Sequence, residues 1–253
     1  MELKDKIVTS YVAFEDKVDT NSAIHEIRTE ALENFEKLGF PTKKLEAWKY
    51  TSLNNVLKND FSLFPNKDVA VELADVKKYF IHDIDTYNVV FIDGKYSSFL
   101  SETTHDTIDV CLMSSALSKP KYKAVIDKYF NKVAKQDNLT SLNTAFASEG
   151  AYIHIPKNVE VKKPIQIINF TTGSEVAVMT QPRNLIVVDE NAHVQIIERH
   201  QSLTSNAVLS NVVTEIFSAK SSTVDVYKIQ NDDLNASIVD NTYVDQKSNS
   251  VVS

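Results

Sequence analysis

Side chains that could do chemistry are few in this chain, and their spacing limits what they can do. Cys111 is the only cysteine and lies between Val110 and Leu112, without a cationic neighbour to stabilise a thiolate. It therefore reads as a buried, inert thiol. A lone cysteine excludes internal disulfides, and it excludes a metal–sulfur cluster held by this chain's thiolates alone. His193 and His200 differ in parity along an extended strand, so they face opposite sides and do not share an ion. Glu198 and His200 share parity with Val194 and Ile196, which makes a partly buried carboxylate–imidazole pair whose default role is a structural hydrogen bond. Asp189, Glu190, Glu198 and Asp225 are the carboxylates available to a glycosidase, which needs two about 5 to 10 Å apart. Gly-x-Ser-x-Gly, His-Glu-x-x-His, paired-cysteine and phosphate-binding glycine motifs are all missing.

The bulk composition narrows the classes further. A net charge of −7, with basic residues clustered only in doublets such as Lys43-Lys44, argues against nucleic acid as a partner. No apolar run reaches the length of a membrane span, and Met1 to Lys17 is charged and helix-patterned where a signal peptide would be apolar. A cytoplasmic protein without a membrane partner is expected.

The elements that must position these residues divide near Gly150. Leu3, Ile7, Tyr11, Phe14 and Val18 line one face of a first helix. A second helix starts at a Ser22 cap, carries Ile24, Ile27, Ala31, Phe35 and Leu38, and ends at Gly39. Tyr87 to Ile92, Asp93-Gly94 and Lys95 to Leu100 read as a hairpin with a type I′ turn. Pro120 opens a further helix, and Ser141 to Ser148 forms a short one. Residues 1–150 are thus a mainly helical α+β region.

After Gly150 come β-rich runs: Ala151–Ile155, Pro164–Phe170, Glu175–Thr180, Arg183–Asp189, His193–Glu198, Asn206–Phe217, Ser222–Gln230 and Ser237–Val244. Tight hairpins would spend glycine pairs, yet Gly173 is the one glycine in this stretch and the corners are Asn, Asp, Ser, Thr and Lys. Residues 151–253 are therefore read as the first part of a right-handed parallel β-helix, although no crisp repeat is visible.

Four segments carry a resemblance. They are Pro41-Thr42-Lys43-Lys44-Leu45-Glu46-Ala47-Trp48-Lys49-Tyr50-Thr51; Leu142-Asn143-Thr144-Ala145-Phe146 with Gly150; Ile155-Pro156-Lys157-Asn158-Val159 leading to Lys163-Pro164-Ile165; and Pro182-Arg183 through Glu198. Together they resemble the SufB/SufD family of the Suf iron–sulfur assembly system, on its SufD side. Pro41, Glu46, Trp48, Lys49, Tyr50, Asn143, Pro164 and Arg183 match the signature and read as structural. Trp48 suits packing before a docking role, Glu46 and Lys49 suit a helical ion pair, and Arg183 suits a solvated strand entrance or a partner contact.

The resemblance implies a non-catalytic scaffold acting with SufB and the SufC ATPase. The iron–sulfur cluster would be held transiently in the full complex, and none by this chain alone. A flavin is discussed for that assembled complex, and nothing in these residues assigns one to this chain. Family members continue well past this length, so the chain is expected to lack the later rungs and the SufC-docking segment, and its open last rung to self-associate edge to edge. The alternative function is a carbohydrate-active β-helix enzyme, disfavoured by the missing secretion signal.

Overall fold

The computed structural model of the chain describes residues 2–18, 24–63, 71–102, 107–173 and 177–253. Helices α1 (Leu3–Glu15) and α2 (His25–Leu38) come first. Gly39, at φ 62°, closes α2 by donating its N–H to the Phe35 carbonyl at 2.7 Å. The expected Ser22 cap lies outside the described residues. Single helical turns at Glu46–Trp48 and Val56–Lys58 lead to the short α3 (Leu73–Val76).

Strands β1 (Tyr87–Ile92) and β2 (Lys95–Tyr96) form the hairpin, with Asp93 and Gly94 both at the positive φ of a type I′ turn. The second strand is shorter than its sequence suggests. Ser101 folds back so that its hydroxyl accepts the Val90 N–H at 2.9 Å, a place that a longer strand would have used. Next come β3 (Asp109–Leu112), α4 (Met113–Ser118), α5 (Lys123–Tyr129) and α6 (Asn138–Ala145). Helix α6 starts before the expected Ser141 because Asp137 caps it, accepting the Thr140 N–H at 2.8 Å.

The remaining strands are β4 (Ala151–Ile155), β5 (Ile165–Thr171), β6 (Val178–Thr180), β7 (Arg183–Val188), β8 (His193–Ser202), β9 (Val208–Ser218), β10 (Thr223–Gln230), β11 (Ala236–Gln246) and β12 (Val251–Val252). They build two facing sheets, ordered β12-β10-β8-β5-β1-β2 and β11-β9-β7-β4-β3. Every pairing is parallel except β1 with β2 and β3 with β4, which makes a β-solenoid of about three turns. Both sheets thus draw strands from the region before Gly150.

The corners explain how the solenoid turns without glycine. Asn158, Asn191, Ser221 and Asn249 each occupy the left-handed region, φ 57° to 63°, which a short polar side chain tolerates. Asn191 and Asn158 stack through a side-chain hydrogen bond of 3.1 Å. A repeat hidden from the sequence appears in these contacts: Thr180–Ser210, Gln181–Asn211, Asn184–Thr214, Gln201–Asn231 and Ser202–Asp232 are all hydrogen-bonded at a separation of 30 residues.

Strand parity sorts the side chains. Ile165, Ile167, Ile186, Val188, Val194, Ile196, Ile216 and Val224 fill the bore between the sheets. On the outer face of the β7–β9 sheet, Leu185, Val187 and Phe217 pack under α4 and α5, and Met179 and Leu209 pack under α1, α2 and α6. The helical region is therefore a cover on one wall of the solenoid.

Candidate functional site

Two charge networks flank that wall, one under the cover and one in the bore, each built on a buried carboxylate. The covered network centres on Arg183. Its parity on β7 matches Leu185 and Val187, so the side chain points out of the bore, but α6 and the segment after α5 enclose it completely. The expectation of a solvated strand entrance is corrected accordingly: Arg183 is 0% exposed. Its guanidinium meets Glu215 Oε2 at 2.7 Å, donates to Thr144 Oγ1 and Asn131 Oδ1 at 3.2 Å each, and stacks over the Phe130 ring at 5.0 Å. Glu215 also accepts the backbone N–H groups of Asn131, Val133 and Ala134 at 2.8, 3.0 and 3.2 Å. Beside it, the buried Asn143 amide donates to the Pro182 and Asn211 carbonyls at 2.9 and 2.8 Å. Sequence and structure meet here: Asn143 and Arg183 fasten α6 and the segment after α5 to the sheet.

The bore network sits where the apolar filling gives out. Glu198 and His200 follow Val194 and Ile196 inward along β8, 2% and 3% exposed, with Oε1 and Nε2 3.1 Å apart. On the next rung Lys228 reaches Glu198 Oε2 at 3.4 Å. It crosses the bore to bond Asp240 and donates to Thr242 Oγ1 at 2.9 Å on β11. Burial alone would raise the Glu198 carboxyl, but the His200 hydrogen bond and charge, joined by Lys228, outweigh it and hold the group below the usual carboxylate range. Two carboxylates, an imidazole, an ammonium and a hydroxyl converge on one spot. Such a set can hold or relay a proton, or take a small polar group against the wall. Among the described residues no three His, Cys, Asp or Glu side chains gather as a metal site.

The other residues stand apart. Pro41 is buried just after α2, Glu46 and Lys49 are exposed, and Lys49 Nζ lies over the Tyr50 ring at 5.4 Å rather than on Glu46. Trp48 is half-buried against the α1–α2 cluster, while Tyr50 is 88% exposed. Pro164 accepts the Tyr87 N–H on its carbonyl at 2.9 Å, at the junction of β1 with β5. His193 pairs with Asp225 at 3.1 Å, and Asp189 with His154 at 2.9 Å. Glu190 pairs with Lys157 at 2.6 Å. The four carboxylates considered for sugar chemistry are each engaged by a basic side chain. Cys111, expected to be buried, is half-buried on β3, and its partial burial pushes the thiol up.

Sequence reasoning missed Glu215, Lys228, Asp240 and Thr242. Signals for two of them existed: Glu215 interrupts the apolar run Val212 to Phe217, and Lys228 shares parity with Val224 and Val226.

This combination of helical cover and solenoid coincides with two family models. The SufBD protein N-terminal region matches residues 1–167, and the SufBD core domain of SUF system FeS cluster assembly matches residues 169–253. The chain belongs to the SufBD family. A SufBD family iron–sulfur cluster assembly protein of Synechocystis is 26% identical over 204 residues, covering 77% of this chain and 45% of the relative. The iron–sulfur cluster assembly protein SufD of Bacillus subtilis is 22% identical over 228 residues, 87% of this chain and 51% of that protein. SufD of Escherichia coli is 23% identical over 180 residues, 68% and 38% respectively. The chain thus spans about half or less of the length of these SufBD relatives. Membership ties it to a family whose core domain is described as serving iron–sulfur cluster assembly. Among the described residues no helix is long and apolar enough to cross a membrane.

Proposed function

We propose that the chain belongs to a non-catalytic scaffold subunit for iron–sulfur cluster assembly that works with SufB and the SufC ATPase, the cluster being cargo held transiently by the full complex. The observation that carries this reading is the consecutive match of the SufBD amino-terminal and core models across the same cover and solenoid seen in the fold. Residue chemistry supports the non-catalytic part. Residues 1–253 carry a single, half-buried thiol whose pKa burial raises, so they offer no thiolate set for a cluster by themselves. The buried charges are engaged with one another, and the family assignment leaves no observation in favour of the carbohydrate-active alternative.

Co-expression of the full gene product with SufB and SufC, followed by size-exclusion chromatography and cluster transfer to an apo-acceptor, tests it. The reading expects a stable three-component complex that transfers a cluster, with no transfer when the subunit is omitted. A subunit that stays apart from both partners, or that turns over ATP or polysaccharide alone, would overturn it.

A further inference from the structure

A separate cavity lies where α1, the β1–β2 turn and the segment leading into Gly150 meet. It has a volume of about 250 Å³. Phe14, Val18, Leu63 and Phe146 supply apolar wall, Lys17, Asp93 and Lys95 stand on its lining, and Glu149 and Gln181 supply polar wall. Glu149 and Gln181 each keep a buried polar atom without a partner, Oε2 of Glu149 and Nε2 of Gln181. The orientation of the Gln181 amide is fixed by its neighbours: Asn211 Nδ2 donates to the Leu139 carbonyl at 2.8 Å, so the Gln181 atom it meets at 2.7 Å is the oxygen. The Glu149 carboxylate receives the Tyr96 backbone N–H, which leaves Oε2 over. The wall behind it is rigid, because the Arg183 N–H donates to the Glu149 carbonyl at 2.9 Å and a Cβ at Gly150, φ 136°, would overlap the Arg183 backbone.

We infer that this cavity is a binding site for a small one-ring molecule bearing a carboxamide or lactam edge. Such an edge offers an N–H to Glu149 and a carbonyl oxygen to Gln181, satisfying both orphaned atoms at once. A purely apolar ring would leave both unpaired. An ionised organic acid offers no N–H or O–H to Glu149 Oε2, and an ammonium offers no acceptor to Gln181 Nε2, so neither satisfies both atoms. Size agrees: an apolar cavity of roughly 150 Å³ accommodates benzene, so this one admits a ring plus a polar substituent. The site adjoins the covered network through the Arg183 backbone N–H and the Asn211 amide but uses none of its charged groups.

The test titrates benzamide, toluene and benzoate separately into the full chain while backbone amide chemical shifts are followed. Benzamide is expected to give saturable shifts at Gly94, Ser148, Glu149 and Gln181 and to bind more tightly than the other two. Glu149→Met and Gln181→Met are each expected to weaken it on the order of tenfold, the size of one lost hydrogen bond. Toluene binding as tightly as benzamide, or benzamide shifts that fail to saturate or fall elsewhere, would overturn the inference. Should either substitution unfold the chain, the ranking of the three probes on the native chain decides alone.

Discussion

The covered network around Arg183 and the bore network around Lys228 contain the same kinds of groups, yet they are built to different ends. Under the cover, one guanidinium and one carboxylate are fully enclosed, and three backbone N–H groups complete the carboxylate. In the bore, one ammonium is shared between two carboxylates and a hydroxyl. The first arrangement fixes a loop in one place. The second ties two rungs and both walls of the bore to one ammonium. Enclosure alone therefore does not tell a structural pair from a candidate site; what completes the hydrogen bonds of the carboxylate does.

The comparison can be broken at its strongest point. Glu215→Ala should cost about 3 to 5 kcal/mol, because it strands a buried guanidinium. Replacing both partners, Arg183→Met with Glu215→Leu, should fail to restore stability, since the N–H groups of Asn131, Val133 and Ala134 lose their acceptor. Urea denaturation midpoints of the single and double variants check this, and full recovery in the double variant would show that the loop is held by other means.

A third carboxylate, the partly buried Glu149, is shifted the other way and supplies the contrast. Burial pushes it up to about 7 from an ordinary 4.5, against smaller opposing effects of the Tyr96 N–H and Lys95. The folded state then binds the extra proton between those values, so this group's contribution to stability is present below pH 4.5 and is lost as pH rises through about 7, by at most roughly 3 kcal/mol. The native-minus-Glu149→Gln difference in unfolding free energy should fall across that window and be flat above it.

Glu198 should behave in the opposite sense. Its carboxyl is held down in the folded chain, so its contribution is present above its unfolded value and lost as pH falls through its folded one. Glu198→Gln should cost about 1 to 3 kcal/mol at neutral pH, and its difference from the native chain should shrink in acid. A gap that widens with acid would mean that the carboxylate is not the group held by His200 and Lys228. The smallest effect is expected at Trp48→Ala, about 1 to 2 kcal/mol for a side chain only half-buried. A loss of SufB or SufC binding without a change in thermal midpoint would recast the tryptophan as a docking residue.

Local chemistry made much of this fold legible. Apolar periodicity located α1 and α2, Asp93-Gly94 located the hairpin turn, and the scarcity of glycine after Gly150 pointed to stacked parallel strands. The parity of Glu198 and His200 was legible for the same reason, since side chains alternate strictly along a strand. The stacking period was not. It is written in polar ladders and left-handed Asn and Ser corners, whose residues are also the commonest in ordinary loops. The burial of Arg183 was equally hidden, because a strand entrance becomes interior only once a helix distant in sequence lies across it. Lys228 could have been read inward from its parity, but its partners come from two different strands that only the coil of the solenoid brings together.

The seating of α1 on Met179 and Leu209 has a consequence for the order in which the molecule is made. Helix α1 cannot reach its resting place until β6 and β9 have followed it out of the ribosome. Strand β1 likewise waits for β5, its parallel partner. Until those strands emerge the cover is a set of amphipathic segments with nothing to cover, and their apolar faces must be shielded by the growing chain itself or by a chaperone.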